Sequence, residues 1–427
     1  MNITLIGGGF VGVVSAAVFA ELGNQVWCLD RNESKVQSLK KGKVPFYEPK
    51  LDDLVKKGLK SGKLKFTTSY SKSISDADVI FIAVGTPSAP NGQADLTAVI
   101  SSSKSLAPHI KSGVVVIIKS TVPPSTNKKV AQAIQSKTET KFYTASVPEF
   151  LKEGTAVDDT LNPNRIVIGS TDKKVIKLLK KLHKPLGGKV ITVKPESAQM
   201  SKYAANAYLA QRITFINQIA NLCEKNGADV QEVVNSMSPD KRIGSHYWYP
   251  GLGYGGSCFP KDVRELAAYS KSVGESTGLF VKIDELNEKR IPSLISKIGK
   301  KLNGWQNKKV AILGLSFKPN TDDIREAPSL KIIPILTKAG AKVVGYDPIA
   351  APAIKKVLKN LNTTTSPYQA ANNADVVIIL IEWPELVTLE LKKLKKHMRG
   401  NAFVDTRNQY QPSEVNQVGL EYIGVGR

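Results

Sequence analysis

The run "NITLIGGGFVGVVSAAVFAELG", followed by "QVWCLD", constrains this chain more than any other stretch. A short apolar strand passes into Gly7-x-Gly9-x-x-Gly12, an alanine-rich helix follows, and a second apolar strand ends in Asp30. Such glycines permit a tight turn, close approach of a pyrophosphate to backbone amides and close helix–strand packing. The acid ending the next strand suits a ribose 2′-hydroxyl. Asp30 would repel a 2′-phosphate, so the pattern predicts NAD rather than NADP, and the adjacent Arg31 is the one feature favouring NADP.

Further apolar strands are expected in "ADVIFIAVGTP" (77–87), "GVVVIIKSTVPP" (113–124) and "KFYTASVPEF" (141–150). They carry Thr86, Thr121 and Glu149 toward their C-terminal ends, where doubly wound sheets bind ligands. From Pro195 to about Gly227 no glycine or proline interrupts the chain, which predicts one helix of ~45 Å. Lys202 and Asn206 share a face of it. After the polar break "NGWQNKK" (303–309) the opening pattern returns. "VAILGLSF" resembles "ITLIGGGF", "KVVGYDP" resembles "QVWCLDR", and "NADVVIILIEWPE" resembles "DADVIFIAVGTPS". The expected fold class is therefore α/β, with two Rossmann-like doubly wound domains joined by a central helical domain with one long spine helix. The expected limits are 1–195 for the NAD domain, 196–302 for the helical domain and 303–427 for the second Rossmann-like domain. There "GLSFKPNTDD" has lost the glycine fingerprint, so a different nucleotide-like ligand is expected.

The composition excludes several classes. Three cysteines, Cys28, Cys223 and Cys258, are too few and too scattered for a disulfide framework, which points to a reducing, cytoplasmic setting. His109, His183, His246 and His397 have no metal-ligand spacing, so no metal is expected. The uncharged first 20 residues are broken by four glycines and fit a buried strand and helix, not a leader or membrane segment. A net charge of +23 suggests nucleic acid, but 50 of the 60 basic residues are lysines spread at helical spacing, as in "VIKLLKKLHK". Arginine is the better reader of base edges. Solvated helix faces are expected, with a field that attracts anions.

One cysteine stands apart. In "GLGYGGSCFPKD" (251–262) Cys258 sits among four glycines before a Pro-Lys-Asp triplet. Pro260 suits the first position of a helix, and both the helix N-terminus and Lys261 favour a thiolate. An alcohol dehydrogenation needs no thiol. A second oxidation does, because a thiol adding to an aldehyde gives a thiohemiacetal that can lose hydride and become a thioester. The cysteine thus predicts oxidation of a primary alcohol to a carboxylate. Cys28 and Cys223 are expected to be buried and structural.

"GLGYGGSCFPKD", "SKYAANAYLAQRITFINQ", "VPEFLKEGTAVDD" and "GLSFKPNTDDIREAPSL" together resemble the UDP-glucose 6-dehydrogenases, within the nucleotide-sugar dehydrogenases, over nearly the whole chain. The resemblance implies Cys258 as nucleophile, Lys202 stabilising oxyanions at the sugar C6, and Asn206 orienting the substrate. It implies Asp262 and Thr121 handling the water of proton transfer and Glu149 assisting thioester hydrolysis. Val11, Asp30, Lys35, Thr86, Thr121, Glu153, Lys261 and Arg325 match NAD-contacting positions, beside Gly7, Gly9 and Gly12. Pro148, Glu149, Phe150, Leu151, Lys152, Tyr249, Pro250, Gly251, Leu252, Gly253, Gly255, Lys318 and Arg407 match positions around a UDP-sugar. Arg242 matches an arginine that reaches a neighbouring subunit's substrate, which together with the alanine-rich helix implies a homodimer. Val147, Gln211, Gln218 and the aromatic "SHYWYPG" depart from the pattern near the sugar. Dehydrogenation of a UDP-N-acetylated sugar by the same chemistry is the alternative. A two-electron hydroxyacid dehydrogenase would need no cysteine.

Overall fold

Val79–Ile82 and Val114–Ile118 are buried at every position, as a parallel sheet covered by helices on both faces requires. The computed structural model describes all residues from Met1 to Arg427 and divides them into two units, Met1–Ala205 and Asn206–Arg427.

The first unit is built on eight strands: β1 (Asn2–Ile6), β2 (Gln25–Leu29), β3 (Leu64–Thr67), β4 (Val79–Ile82), β5 (Val114–Ile118), β6 (Phe142–Ser146), β7 (Arg165–Gly169) and β8 (Lys189–Val193). Their order is β3-β2-β1-β4-β5-β6-β7-β8. Every neighbouring pair is parallel except β6 and β7, which meet antiparallel at Ser146 and Gly169. The order reverses between β1 and β4, and that switch point opens a crevice at their C-terminal ends. Side chains alternate across the sheet: Val115 and Ile117 join one core layer with Val13, Phe19 and Leu179, and Val116 and Ile118 join another with Val99 and Val130.

The strands read as 77–87, 113–124 and 141–150 are shorter than expected. Each ends at the last in-register pair, and the remainder forms the loop carrying Thr86, Thr121 or Glu149.

The second unit carries β9 (Lys309–Leu313), β10 (Lys342–Tyr346), β11 (Asn362–Thr363), β12 (Val376–Ile379), β13 (Ala402–Asp405) and β14 (Glu421–Ile423) in the order β11-β10-β9-β12-β13-β14. This is the same winding as β3-β2-β1-β4-β5-β6, so the repeat read in the sequence is a repeat of topology. Gly314 corresponds to Gly7: its amide donates to the Tyr346 carbonyl as that of Gly7 does to Leu29. The next helix differs. It starts at Phe10 in the first unit but only at Pro328 in the second.

A single 32-residue helix runs from Pro195 to Asn226, as the absence of glycine and proline predicts. Helices Phe259–Ser272 and Gly278–Lys301 pack together in the second unit, where Arg264 pairs with Asp284 at 3.1 Å and Glu288 at 3.0 Å.

Candidate active site

The glycine turn of the first unit fits a dinucleotide. Gly7 has φ +113°, and a Cβ there would lie 2.5 Å from the Ala83 carbonyl oxygen. At Gly12 it would lie 1.8 Å from the Gly7 carbonyl oxygen. Gly9, by contrast, would meet nothing within 4 Å and is exposed, and the helix Phe10–Glu21 that follows has no side-chain cap. Its first amides therefore face open space, as a pyrophosphate needs. Val11 is half-buried in that first turn.

Asp30 stands beside the turn. Its carboxylate accepts from the Gly8 amide at 2.8 Å, the Lys35 ammonium at 2.9 Å and the Asn32 amide at 2.9 Å. Burial acts to raise its pKa, but the Asn32 amide, Lys35 and the Gly8 amide outweigh it and hold the group below the usual carboxylate range. Gly8 was missed in the sequence, although a Cβ there would come within 2.9 Å of the Asp30 Cβ.

Thr86 and Thr121 meet at the same edge of the sheet, the Thr86 hydroxyl donating to the Thr121 carbonyl at 2.8 Å. After β6, Glu149 is held from two sides. One oxygen pairs with the Lys202 ammonium at 2.8 Å and the other accepts from the Leu151 amide at 2.8 Å. The Glu149 and Lys202 side chains are only 8% and 4% exposed. Phe150 stacks beneath the Arg165 guanidinium at 3.8 Å, Pro148 is buried, and Lys152 reaches Asp159 at 3.6 Å. Glu153 is half-buried.

In the second unit Cys258 is exposed and caps the helix Phe259–Ser272, its carbonyl accepting from the Asp262 amide at 2.8 Å. Pro260 occupies the second helical position, not the first, because Phe259 already belongs to the helix. Asp262 is buried and accepts from Asn206 at 2.5 Å and from Lys261 at 2.6 Å. Lys261 also pairs with Glu265 at 3.1 Å. Burial acts to lower its pKa, but Asp262 and Glu265 hold it above the ordinary lysine value. Lys261 thus bridges two carboxylates.

The glycines of this loop answer a packing demand. A Cβ on Gly251, Gly253, Gly255 or Gly256 would come within 2.6 Å of Thr406, Asn287, Glu326 or Phe317 respectively. Three residues that sequence reasoning did not single out lock the loop. Asn217 accepts from the Gly251 amide at 2.8 Å, Arg290 donates to the Gly251 carbonyl at 2.7 Å, and Asn287 both accepts from and donates to Tyr254. Asn217 lies eleven residues beyond Asn206, three turns along the same helix face, a spacing that would have revealed it. Pro250 and Leu252 are buried in the loop and Tyr249 is exposed.

Arg407 donates to the Leu380 carbonyl at 2.7 Å, and Lys318 lies over the Phe317 ring at 5.5 Å. Two predicted residues are engaged locally. Arg242 pairs with Asp240 and Arg325 with Asp323, each two positions upstream, and both side chains are exposed. Asp347, the counterpart of Asp30, is closed off: it is 4% exposed and accepts from the amides of Leu315, Ser316, Ile349 and Ala350 and from the Trp383 indole. Asp347 is therefore not open to a ribose hydroxyl as Asp30 is.

Residues 1–187 match the NAD binding domain of the UDP-glucose/GDP-mannose dehydrogenase family, 196–289 its central domain and 311–412 its UDP binding domain. The chain belongs to this family. The glycine turn and Asp30 lie within its NAD binding domain. Over its full length the chain is 44% identical to the UDP-glucose 6-dehydrogenase TuaD of Bacillus subtilis, covering 93% of that protein, and 39% identical to a UDP-glucose 6-dehydrogenase of Pseudomonas aeruginosa, covering 98%. The structure of a UDP-glucose dehydrogenase from Pyrobaculum islandicum matches 99% of the chain, and 97% of that protein is covered, with a TM-score of 0.93 at 35% identity. No helix of the chain is long and apolar enough to cross a membrane.

Proposed function

We propose that the protein oxidises C6 of UDP-glucose to the carboxylate of UDP-glucuronate, using NAD twice. The observation that carries this reading is the exposed Cys258 at a helix N-terminus, in a loop locked by Asn217, Asn287 and Arg290. Bound in the Asp30 crevice, NAD supplies a hydride acceptor. The residues do the rest. The C6 alcohol loses a proton and a hydride to become an aldehyde, and Lys202 stabilises the negative oxygen at C6. The Cys258 thiolate adds to the aldehyde, and loss of a second hydride leaves a thioester. Water then breaks the C–S bond, with Glu149 accepting its proton, while Asp262 and Thr121 hold the water of the earlier proton transfer and Asn206 orients the sugar.

Gly7, Gly9, Val11, Gly12, Asp30, Lys35, Thr86, Glu153, Lys261 and Arg325 hold the cofactor in this reading. The UDP-sugar falls to Pro148–Lys152, Tyr249–Gly253, Gly255, Lys318 and Arg407. Three parts, 1–195, 196–302 and 303–427, are proposed as domains, and each contains one of the matched family segments. A homodimer is supported by Tyr208, Phe215 and Leu222, exposed apolar residues spaced seven apart on the long helix, and by Arg242, which projects into solvent. Three cysteines that form no disulfide support a cytoplasmic setting.

The deciding measurement is NADH formed per UDP-sugar. Two NADH and a carboxylate are expected with UDP-glucose. Faster turnover of UDP-N-acetylmannosamine would favour the other reading, which the structural match to a UDP-D-ManNAc dehydrogenase of Pyrococcus horikoshii, at a TM-score of 0.86 and 28% identity, supports more weakly.

A further inference from the structure

Lys119 occupies a position built for an apolar side chain. It follows β5, and alternation points it into the layer of Val115 and Ile117, among Phe19, Phe81 and His183. The residue is 8% exposed, and no protein acceptor stands within hydrogen-bonding distance of its ammonium. Burying a cation without a partner is costly, so packing does not account for a lysine here.

The surroundings do. Lys119 lines a cleft together with Ser15, Glu149, Asp159, Arg165 and His183. The Ser15 hydroxyl is buried and likewise without a protein partner. The cleft encloses about 80 Å³, room for several waters at about 10–15 Å³ each. The charged groups facing Lys119 are few. Glu149 is tied to Lys202, Arg165 stacks on Phe150, Asp159 receives the Lys152 amide, and His183 is kept neutral by burial.

Hydrolysis of a thioester forms one C–O bond from water, breaks the C–S bond, and leaves a carboxylate, a thiol and one proton. Glu149 takes that proton in the proposed function, on which this inference rests. Paired with Lys202 and enclosed, Glu149 must pass the proton on before the next turnover. We infer that Lys119 is a positioning residue that accepts this proton from Glu149 through cleft water and releases it to solvent. An ordinary lysine is a poor carrier at neutral pH because it stays protonated. Burial pushes Lys119 down to about 8, with Glu149 opposing and Lys202 adding to the effect, so its neutral amine is populated under working conditions.

The test is the breakdown of the acyl adduct on Cys258, followed by quenched-flow mass spectrometry between pH 6.5 and 9.5. In the wild type the rate should rise with pH under a single group near 8. Lys119→Met should form two NADH per site as fast as the wild type, then hydrolyse the adduct at least ~10-fold more slowly and without that pH dependence. Lys119→Arg should fail in the same way, since it keeps the charge but does not release the proton. Wild-type rate and profile in Lys119→Arg would show that only charge matters and overturn the inference. A pH-independent wild-type rate would overturn it without any variant. Unaltered hydrolysis by Lys119→Met, with two NADH per sugar in the wild type, sinks the relay and leaves the functional reading intact. Absence of any Cys258 adduct in the wild type sinks both.

Discussion

Asn206 donates to Asp262 at 2.5 Å, joining the long helix to the helix that Cys258 caps. The same carboxylate receives Lys261, so one buried group couples an amide, an ammonium and the cysteine turn. Asp262→Asn keeps the shape and removes the basicity. Turnover of UDP-glucose should fall by roughly 10²–10⁴-fold, with little change in KM. Unchanged turnover, measured as initial NADH formation, would take Asp262 out of the proton transfer.

Cys258→Ala tests the division between the two oxidations. Glucuronate formation should drop by roughly 10³-fold or more. Reduction of the C6 aldehyde of UDP-glucose by NADH should survive, because hydride transfer to an aldehyde needs no thiol. Lys202→Ala should slow both half-reactions by roughly 10²–10³-fold, since a negative oxygen develops at C6 in each. Normal glucuronate production by Cys258→Ala would remove the cysteine from the reaction.

Asp30 is ionised at every working pH, held low by Asn32, Lys35 and Gly8. A 2′-phosphate brought against it meets a like charge that costs several kcal/mol, so kcat/KM should favour NAD over NADP by about 100-fold or more. Asp30→Ala should narrow the ratio mainly by weakening NAD. Equal efficiencies in the wild type would mean that Arg31 governs the choice.

His183 gives the fold an acid limit. It is 4% exposed, and burial pushes it down to about 4, the Leu179 carbonyl opposing and Lys119 adding. The unfolded chain takes up this proton near pH 6.5, while the folded chain resists until about 4. Stability is therefore full above 6.5 and declines as pH falls toward 4, by about 2 kcal/mol between pH 7 and pH 5. His183→Leu should lose that part of the slope in urea titrations at the two pH values. An identical slope would mean that other groups set it.

Much of this was legible because local and global signals agree. Gly7, Gly9, Gly12 and Asp30 sit on one strand–turn–helix–strand unit, so spacing alone reveals them. The long helix follows from the lack of glycine and proline between Pro195 and Asn226. The repeated winding shows in "ITLIGGGF" and "VAILGLSF". What escaped depends on distant partners. Asn287 and Arg290 hold the cysteine loop from another helix, and nothing near either residue signals it. The strand β7 escaped because its antiparallel join to β6 is one residue pair. Lys119 escaped because a lysine after five apolar residues reads as the end of a strand, not as a buried group.

The closure of Asp347 by its own backbone has a kinetic consequence. The chain carries two sheets of one winding but a single dinucleotide crevice, while the proposed reaction removes two hydrides from each sugar. The crevice must empty and refill in mid-reaction, when the carbon being oxidised is a reactive aldehyde. Fixing that carbon to Cys258 makes the exchange safe: the intermediate outlasts the departure of the first cofactor because it is bonded to the protein, and no free carbonyl escapes into solution.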